Sequence, residues 1–131
     1  MLGIDTNVLV RFLVRDDEAQ FEKARKLIKR EVAAGRRVFV NHLVLLETEW
    51  VLRSRYSLPK TRIIEAISGL LDATDVGFED EPAIEEALFI WKDTTADFAD
   101  CLIGAQNRRL GCRATASFDA KASRLPWFIA A

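Results

Sequence analysis

The chain has 131 residues and a mass of 14.8 kDa, a length typical of one domain that buries its own core. Hydrophobic residues make up 50% of it, charged residues 30%, and only three residues are proline, which excludes a disordered or fibrous chain. The apolar runs are too short for a transmembrane helix, and the first residues lack the basic and apolar segments of a signal peptide. We therefore expect a single domain, residues 1–131, that does not associate with membranes.

The formal net charge of −1 conceals an uneven distribution of charge along the chain. Bases outnumber acids between Arg11 and Arg62, whereas the segment from Glu79 to Asp100 is strongly acidic. This balance neither requires nor excludes a nucleic-acid partner. Two cysteines are too few for a disulfide scaffold and indicate a reduced, cytoplasmic protein.

Short apolar segments alternate with helical periodicities along the whole chain, which predicts an α/β fold. The elements predicted for the first half are a strand Leu2–Ile4, a helix carrying Val8, Leu9, Phe12 and Leu13, a helix capped by Asp16 or Asp17 and ended by Gly35, a strand Val38–Val40, a helix from Leu43 to about Arg55 with Asn41 as its N-cap, and a helix beginning near Pro59. The apolar stripe of the second helix is predicted to be Phe21, Ala24, Leu27, Ile28 and Val32.

The second half continues the same alternation. Its predicted elements are a strand Asp75–Phe78, a helix capped by Asp80, a helix that begins at Thr95 or Asp97 and ends at Gly111, a strand Arg113–Ala116 and a short strand Trp127–Ile129. Because strands joined through helices run in the same direction, the sheet is expected to be mostly parallel.

Two aspartates follow predicted strands, Asp5 directly and Asp119 three residues later. Asp5 comes after the first strand, which we expect to be central in the sheet, and Asp119 comes after the fourth strand. Ligand sites of open parallel sheets lie at the carboxyl ends of the strands, although an Asp in this position is also an ordinary helix cap.

Glu47 is unusual on its helix because its neighbours on the helix face are largely apolar. They are Leu43, Val44, Trp50, Val51 and Ser54, whereas Glu49 lies on the opposite side. A carboxylate in an apolar arc is costly unless it reaches solvent, pairs with a base or binds a cation.

Asp97 and Asp100 are three residues apart in the first turn of a predicted helix and share one face. Acids in a first turn commonly serve as caps or interact with the helix dipole. This helix leads into a strand, so its first turn would normally lie at the edge opposite to Asp5 and Asp119. The periodicity alone leaves open whether these acids meet.

If the acids do meet, their mutual repulsion requires a cation, and all-oxygen ligands favour Mg²⁺ or Mn²⁺ over zinc. Such a centre suits phosphodiester hydrolysis. The chain has one histidine, His42, for which a capping or surface role is the simplest interpretation. It contains neither a G-x-S-x-G motif nor a phosphate-binding G-x-x-x-x-G-K-[ST] loop.

Four segments, in order along the chain, resemble those of PIN-domain ribonucleases, in particular VapC-type toxins of toxin-antitoxin modules. They are MLGIDTNVLVRFLVRDD, LVLLETEWVLRSRY, TTADFADCLIG and ATASFDAKASRLP. The resemblance implies an α/β/α sandwich around a central, mostly parallel five-stranded sheet. It also implies an endoribonuclease that uses Mg²⁺, with Mn²⁺ able to replace it, and that forms a homodimer inhibited by a VapB-type antitoxin.

The resemblance further implies a role for individual residues. The catalytic and metal-binding acids would be Asp5, Glu47, Asp97, Asp100 and Asp119, with Thr6, Asn7 and Ser117 in support and Arg11 and Arg15 as RNA contacts. One departure from the family pattern is Ala120, where a base is frequent. The resemblance also supplies the chain path that would bring the Asp97 and Asp100 helix to the site.

Other classes fit less well. A phosphoacceptor receiver module requires an acidic pair after the first strand, and a haloacid-dehalogenase-like phosphatase requires a second Asp where Asn7 stands. The main alternative is a PIN-fold module that binds RNA or protein without cutting it, and the intact set of acids argues against it.

Overall fold

The structure, a computed structural model, describes all 131 residues, which form two compact units, Met1–Glu79 and Asp80–Ala131. The elements of the first unit are β1 (Leu2–Gly3), α1 (Thr6–Leu13), α2 (Glu18–Ala33), β2 (Val38–Val40), α3 (His42–Ser54), α4 (Lys60–Asp72) and β3 (Val76–Phe78). Those of the second are α5 (Glu81–Trp91), α6 (Phe98–Arg109), β4 (Thr115–Ser117), a 3₁₀ helix (Ala122–Arg124) and β5 (Phe128–Ala130). The predicted alternation of strands and helices is confirmed.

All strand pairs are parallel, as predicted, but the strands do not form one sheet of five. In the first unit they pair in the order β1, β2, β3, with Val38 opposite both Leu2 and Val76. In the second unit β4 pairs with β5. Strands of two or three residues form few ladder hydrogen bonds, and the small side chains of β4 bury little apolar surface. In the three-stranded sheet β1 is an edge strand, so the prediction that it is central is wrong for this sheet.

Side-chain caps fix where several helices begin and end. Asp17 rather than Asp16 caps α2, since its carboxylate accepts a hydrogen bond from the Gln20 amide at 3.0 Å. Gly35 follows the last turn of α2 with φ of +77°, a conformation that favours glycine. Asn41 caps α3 through the Val44 amide at 2.8 Å.

The core of the first unit is aliphatic and is contributed by strands and helices alike. Its most deeply buried side chains are Leu9, Val38, Val40, Leu45, Leu52, Ile63 and Ile67. Val32, predicted to lie in the buried stripe of α2, is exposed, whereas Glu31 is buried. Glu31 tolerates burial because Arg36 folds back across the end of α2 and donates to its carboxylate at 2.7 Å. The pKa of Glu31 is accordingly lowered, chiefly by this hydrogen bond.

The second unit packs α5 against α6 around a small aromatic core. Trp91 and Phe98 lie with their ring centroids 5.1 Å apart. Gly104 on α6 lies directly beneath the Phe128 ring, and a Cβ at this position would collide with that ring. None of the helices combines the length and hydrophobicity needed to cross a bilayer.

Candidate active site

Asp5 begins α1 and serves as its N-cap. Its Oδ1 atom accepts a hydrogen bond from the Val8 amide at 3.1 Å, and the residue is exposed. The capping bond uses only one of the two carboxylate oxygens. The capping role does not therefore prevent this carboxylate from binding a second group.

Thr6 connects the first turn of α1 with α3. The residue is buried, and its hydroxyl donates a hydrogen bond to Oε1 of Glu47. Because β1 and β2 are parallel neighbours, α1 and α3 both begin at their carboxyl ends. The first unit thus places Asp5, Thr6 and Glu47 near one edge of its sheet.

The apolar arc around Glu47 is not the buried face of α3. Leu43 and Trp50, the apolar neighbours of Glu47, are 76% and 57% exposed, and Glu47 itself is exposed. Glu49, on the opposite side of the helix, is 3% exposed and accepts from Nε of Arg53 at 2.8 Å. The helix turns Leu45 and Leu52 inward, and Glu49 is tolerated on that face because Arg53, one turn later, reaches its carboxylate.

The second unit contains the other three predicted acids. Asp97 precedes α6 and is exposed, with its side chain making no capping hydrogen bond, whereas Asp100 is partly buried in the first turn. Burial raises the pKa of Asp100, and the negative charges of Asp97 and Asp119 raise it further. The structure therefore brings these three carboxylates into electrostatic interaction.

Asp119 lies in a tight turn after β4. Its Oδ1 accepts from the amides of Lys121 at 2.8 Å and Ala122 at 2.9 Å, and its own amide donates to the Ser117 hydroxyl oxygen at 3.0 Å. These bonds hold the aspartate on the loop beside Ser117.

A pocket of about 260 Å³ opens beside these acids in the second unit. Its lining residues are Thr95, Ala96, Asp97, Asp119, Ala120 and Lys121. The family pattern favours a base directly after Asp119; here Ala120 takes that position and the next residue, Lys121, lines the pocket. Sequence reasoning missed Lys121, although its position two residues after Asp119 could have identified it.

The two arginines predicted to contact RNA both have partners in the first unit. Arg11 donates to Gln20, Asp16 and Tyr56, and Arg15 lies 4.0 Å from the centroid of the Phe21 ring. Asn7 is exposed on α1.

Comparison with known proteins assigns the family. Residues 3–127 match the family profile described as PIN domain. The chain belongs to the PIN-domain family. A curated relative, the VapC ribonuclease of Aquifex aeolicus (strain VF5), is 25% identical over 122 residues, which is 93% of this chain and 90% of the relative. The family resemblance found in the four sequence segments is confirmed.

A solved structure was also compared with this PIN domain. The crystal structure of Mycobacterium tuberculosis VapC20, described as a sarcin-ricin loop cleaving toxin, is 20% identical in sequence and aligns with a TM-score of 0.44. The alignment covers 94% of this chain and 93% of that chain.

The acids of this PIN domain offer only oxygen ligands. No group of three or more His, Cys, Asp or Glu side chains has the arrangement of a formed metal site. The partly buried Asp100 carboxylate nevertheless lies in the field of two further acids, an arrangement that a bound cation would stabilise. The donor set thus fits a hard divalent cation. Each unit contributes its own group of acids, and their union in one metal centre stays a prediction.

Proposed function

We propose that this PIN domain is a metal-dependent endoribonuclease and a VapC-type toxin. The observation that carries the proposal is the electrostatic coupling of Asp100 with Asp97 and Asp119, in a chain whose PIN-family match spans residues 3–127. The named activity of the Aquifex relative supports RNA as the substrate class. Because one family profile covers both units, we further propose that residues 1–131 act as one domain.

In this proposal Mg²⁺ is the cofactor and Mn²⁺ can replace it. The residues that would hold it are Asp5, Glu47, Asp97, Asp100 and Asp119. When bound, the cation supplies positive charge at the phosphate oxygens and lowers the pKa of a water molecule. The Thr6 hydroxyl holds Oε1 of Glu47 in one orientation, and the Val8 amide does the same for Oδ1 of Asp5. The turn amides of Lys121 and Ala122 fix Asp119. These bonds reduce the reorganisation needed when ligand and substrate bind.

The partners proposed are an RNA substrate, a VapB-type antitoxin and a second copy of the chain. An antitoxin that inserts an Arg or Lys among the acids would replace the charge of the metal and block the site. An RNA substrate implies action in the cytoplasm, where the exposed thiol of Cys112 would remain reduced.

A PIN-fold module that binds RNA without cutting it is the alternative function. A module that only binds RNA would be expected to lack some of the acids. This chain has all five. The retained acids therefore favour the nuclease.

Purified protein incubated with total RNA tests the proposal. We expect cleavage with Mg²⁺ or Mn²⁺ and none with EDTA. Asp5→Asn and Asp100→Asn remove a charge while keeping the shape, so each should lower the rate by about two orders of magnitude or more with folding intact. Glu65→Gln is the matched control, because this side chain is 73% exposed on α4 and is not one of the five proposed acids. Cleavage by Asp100→Asn at the wild-type rate would show that the proposal is wrong.

A further inference from the structure

A second pocket, of about 260 Å³, lies between α1 and α2 in the first unit. Its lining residues are Asn7, Val8, Arg11, Gln20, Lys23 and Ala24. Two of these residues are cationic, two carry amides and none is acidic. In a chain with a net charge of −1, a pocket lined by two bases and no acid is suited to an anion.

Arg11 is held rigidly at the wall of this pocket. Its Nε donates to Oε1 of Gln20, and its Nη1 donates to Asp16 and to the Tyr56 hydroxyl, each at 3.1 Å. Tyr56 in turn donates to Asp16 at 2.9 Å. None of these bonds uses Nη2, so the fixed guanidinium keeps one donor group for a ligand.

Gln20 is oriented by the same contact. Because its Oε1 atom accepts from Arg11, its Nε2 group is left as a donor beside the pocket. Asn7, four residues before Arg11 on α1, supplies a second amide to the pocket lining.

Lys23 supplies charge that no carboxylate offsets. Its neighbours Arg15 and Arg25 pair with Glu18 and Glu22, and Arg11 pairs with Asp16, whereas no salt bridge of the chain involves Lys23. An unpaired ammonium at an exposed pocket is available to a phosphate, which it can contact as a point charge.

One lining residue, Asn7, directly follows Thr6, whose hydroxyl bonds to Glu47. We propose that the pocket binds a backbone phosphate of single-stranded RNA, next to the phosphate that is cut. This inference rests on the proposed function for the identity of the anion. Lys23 and Nη2 of Arg11 would contact the phosphate, and the amides of Asn7 and Gln20 would contact the ribose hydroxyls.

Binding measured without cleavage tests this site. A fluorescein-labelled, single-stranded 12-mer of RNA is titrated with protein in EDTA, and its anisotropy is followed at several KCl concentrations. Lys23→Gln should weaken binding several-fold and reduce the slope of log K against log salt by about 0.7, the value for one phosphate contact on a single strand. Lys29→Gln makes the same charge change on α2, outside the pocket, and should leave affinity and slope close to wild type.

Two results would overturn the inference. One is equal affinity and equal salt slope for Lys23→Gln and Lys29→Gln. The other is Lys23-dependent binding of an acidic peptide without Lys23-dependent binding of RNA, which would assign the pocket to a protein partner. Melting temperatures of both variants verify that they fold.

Failure of the nuclease proposal gives a different pattern. Wild type would then bind the 12-mer in a Lys23-dependent manner but would not cut RNA in Mg²⁺. That outcome supports the phosphate pocket while refuting catalysis.

Discussion

The buried Thr6 hydroxyl donates a hydrogen bond to the exposed carboxylate of Glu47, a residue 41 positions away. This contact fixes the first turn of α1 against α3 and restrains the only acid of α3 that lies at the proposed site. Thr6 is therefore a positioning residue, since it acts through Glu47.

Thr6→Val keeps the volume and β-branched shape of the side chain but removes the donor. We expect the rate of RNA cleavage to fall about tenfold, because Glu47 loses its orientation. The free energy of unfolding should fall by about 1 kcal/mol. Thr6→Ser retains the hydroxyl and should recover most of the rate. Single-turnover cleavage and thermal melts measure both effects, and a wild-type rate in Thr6→Val would contradict the positioning role.

Asp100→Asn should stabilise the metal-free protein near pH 7.5. Burial first, and then the charges of Asp97 and Asp119, raise the pKa of Asp100. When the folded-state pKa is higher than the unfolded-state pKa, the protonated carboxyl stabilises the folded protein. This stabilisation is complete below the unfolded-state pKa, near 4, and is lost as the pH rises through the folded-state pKa. Above the folded-state value the wild type no longer has this stability, so removing the charge should gain about 1 kcal/mol there.

The same pair of proteins tests metal binding. Millimolar Mg²⁺ or Mn²⁺ should raise the melting temperature of wild type and raise that of Asp100→Asn less, because the cation binds only the folded state. Thermal melts with EDTA and with each metal make the comparison. Two results together would contradict a metal site at these acids. They are a wild-type melting temperature that Mn²⁺ does not change, and an Asp100→Asn variant that is less stable than wild type at every pH.

Asp80→Asn should lower the stability of the second unit at neutral pH, and this loss should fade in acid. Asp80 accepts from Nε of Arg109 at 2.6 Å and from Gln106 at 3.1 Å, and the hydrogen bond from Arg109 is the main cause that lowers its pKa. A lowered pKa gives stability that is present above the unfolded value and is lost as pH falls through the folded value. Asn can still cap α5 through the Ala83 amide, so the substitution isolates the charge.

We expect wild type to exceed Asp80→Asn by about 1 to 2 kcal/mol in its free energy of unfolding at pH 7. The difference should shrink as the pH falls below the unfolded value, near 4, toward the lowered folded value. Urea unfolding at each pH measures it. A difference that stays constant with pH would mean that the Arg109 contact does not depend on the charge of Asp80.

Expression of the chain alone should arrest bacterial growth, and Asp5→Asn should relieve the arrest at equal protein level. Co-expression of the small protein encoded beside it should relieve the arrest of wild type and form a stable complex, as a VapB-type antitoxin would. Arrest that the neighbouring product neither relieves nor binds would contradict this partner. Growth curves with quantified expression decide the question.

The sequence by itself determined the local features of this protein. Asp17, Gly35, Asn41 and Asp80 act on amides or backbone angles within a few residues, so their roles as caps and stops could be predicted and are confirmed. Parallel strand pairing followed from the alternation of strands and helices. The family could be identified because four short segments recur in a fixed order, and the match to residues 3–127 bears that out.

Only the tertiary structure decided which faces are buried and which distant residues meet. Periodicity shows which residues of α3 share a face, but both faces carry apolar residues, and packing of Leu45 and Leu52 chose the one that buries Glu49 and exposes Glu47. The division of the strands into ladders of three and two likewise depends on pairing between distant segments. The pocket between α1 and α2 arises because helix packing brings Lys23 beside Arg11 and Asn7, and no spacing within one helix encodes that contact.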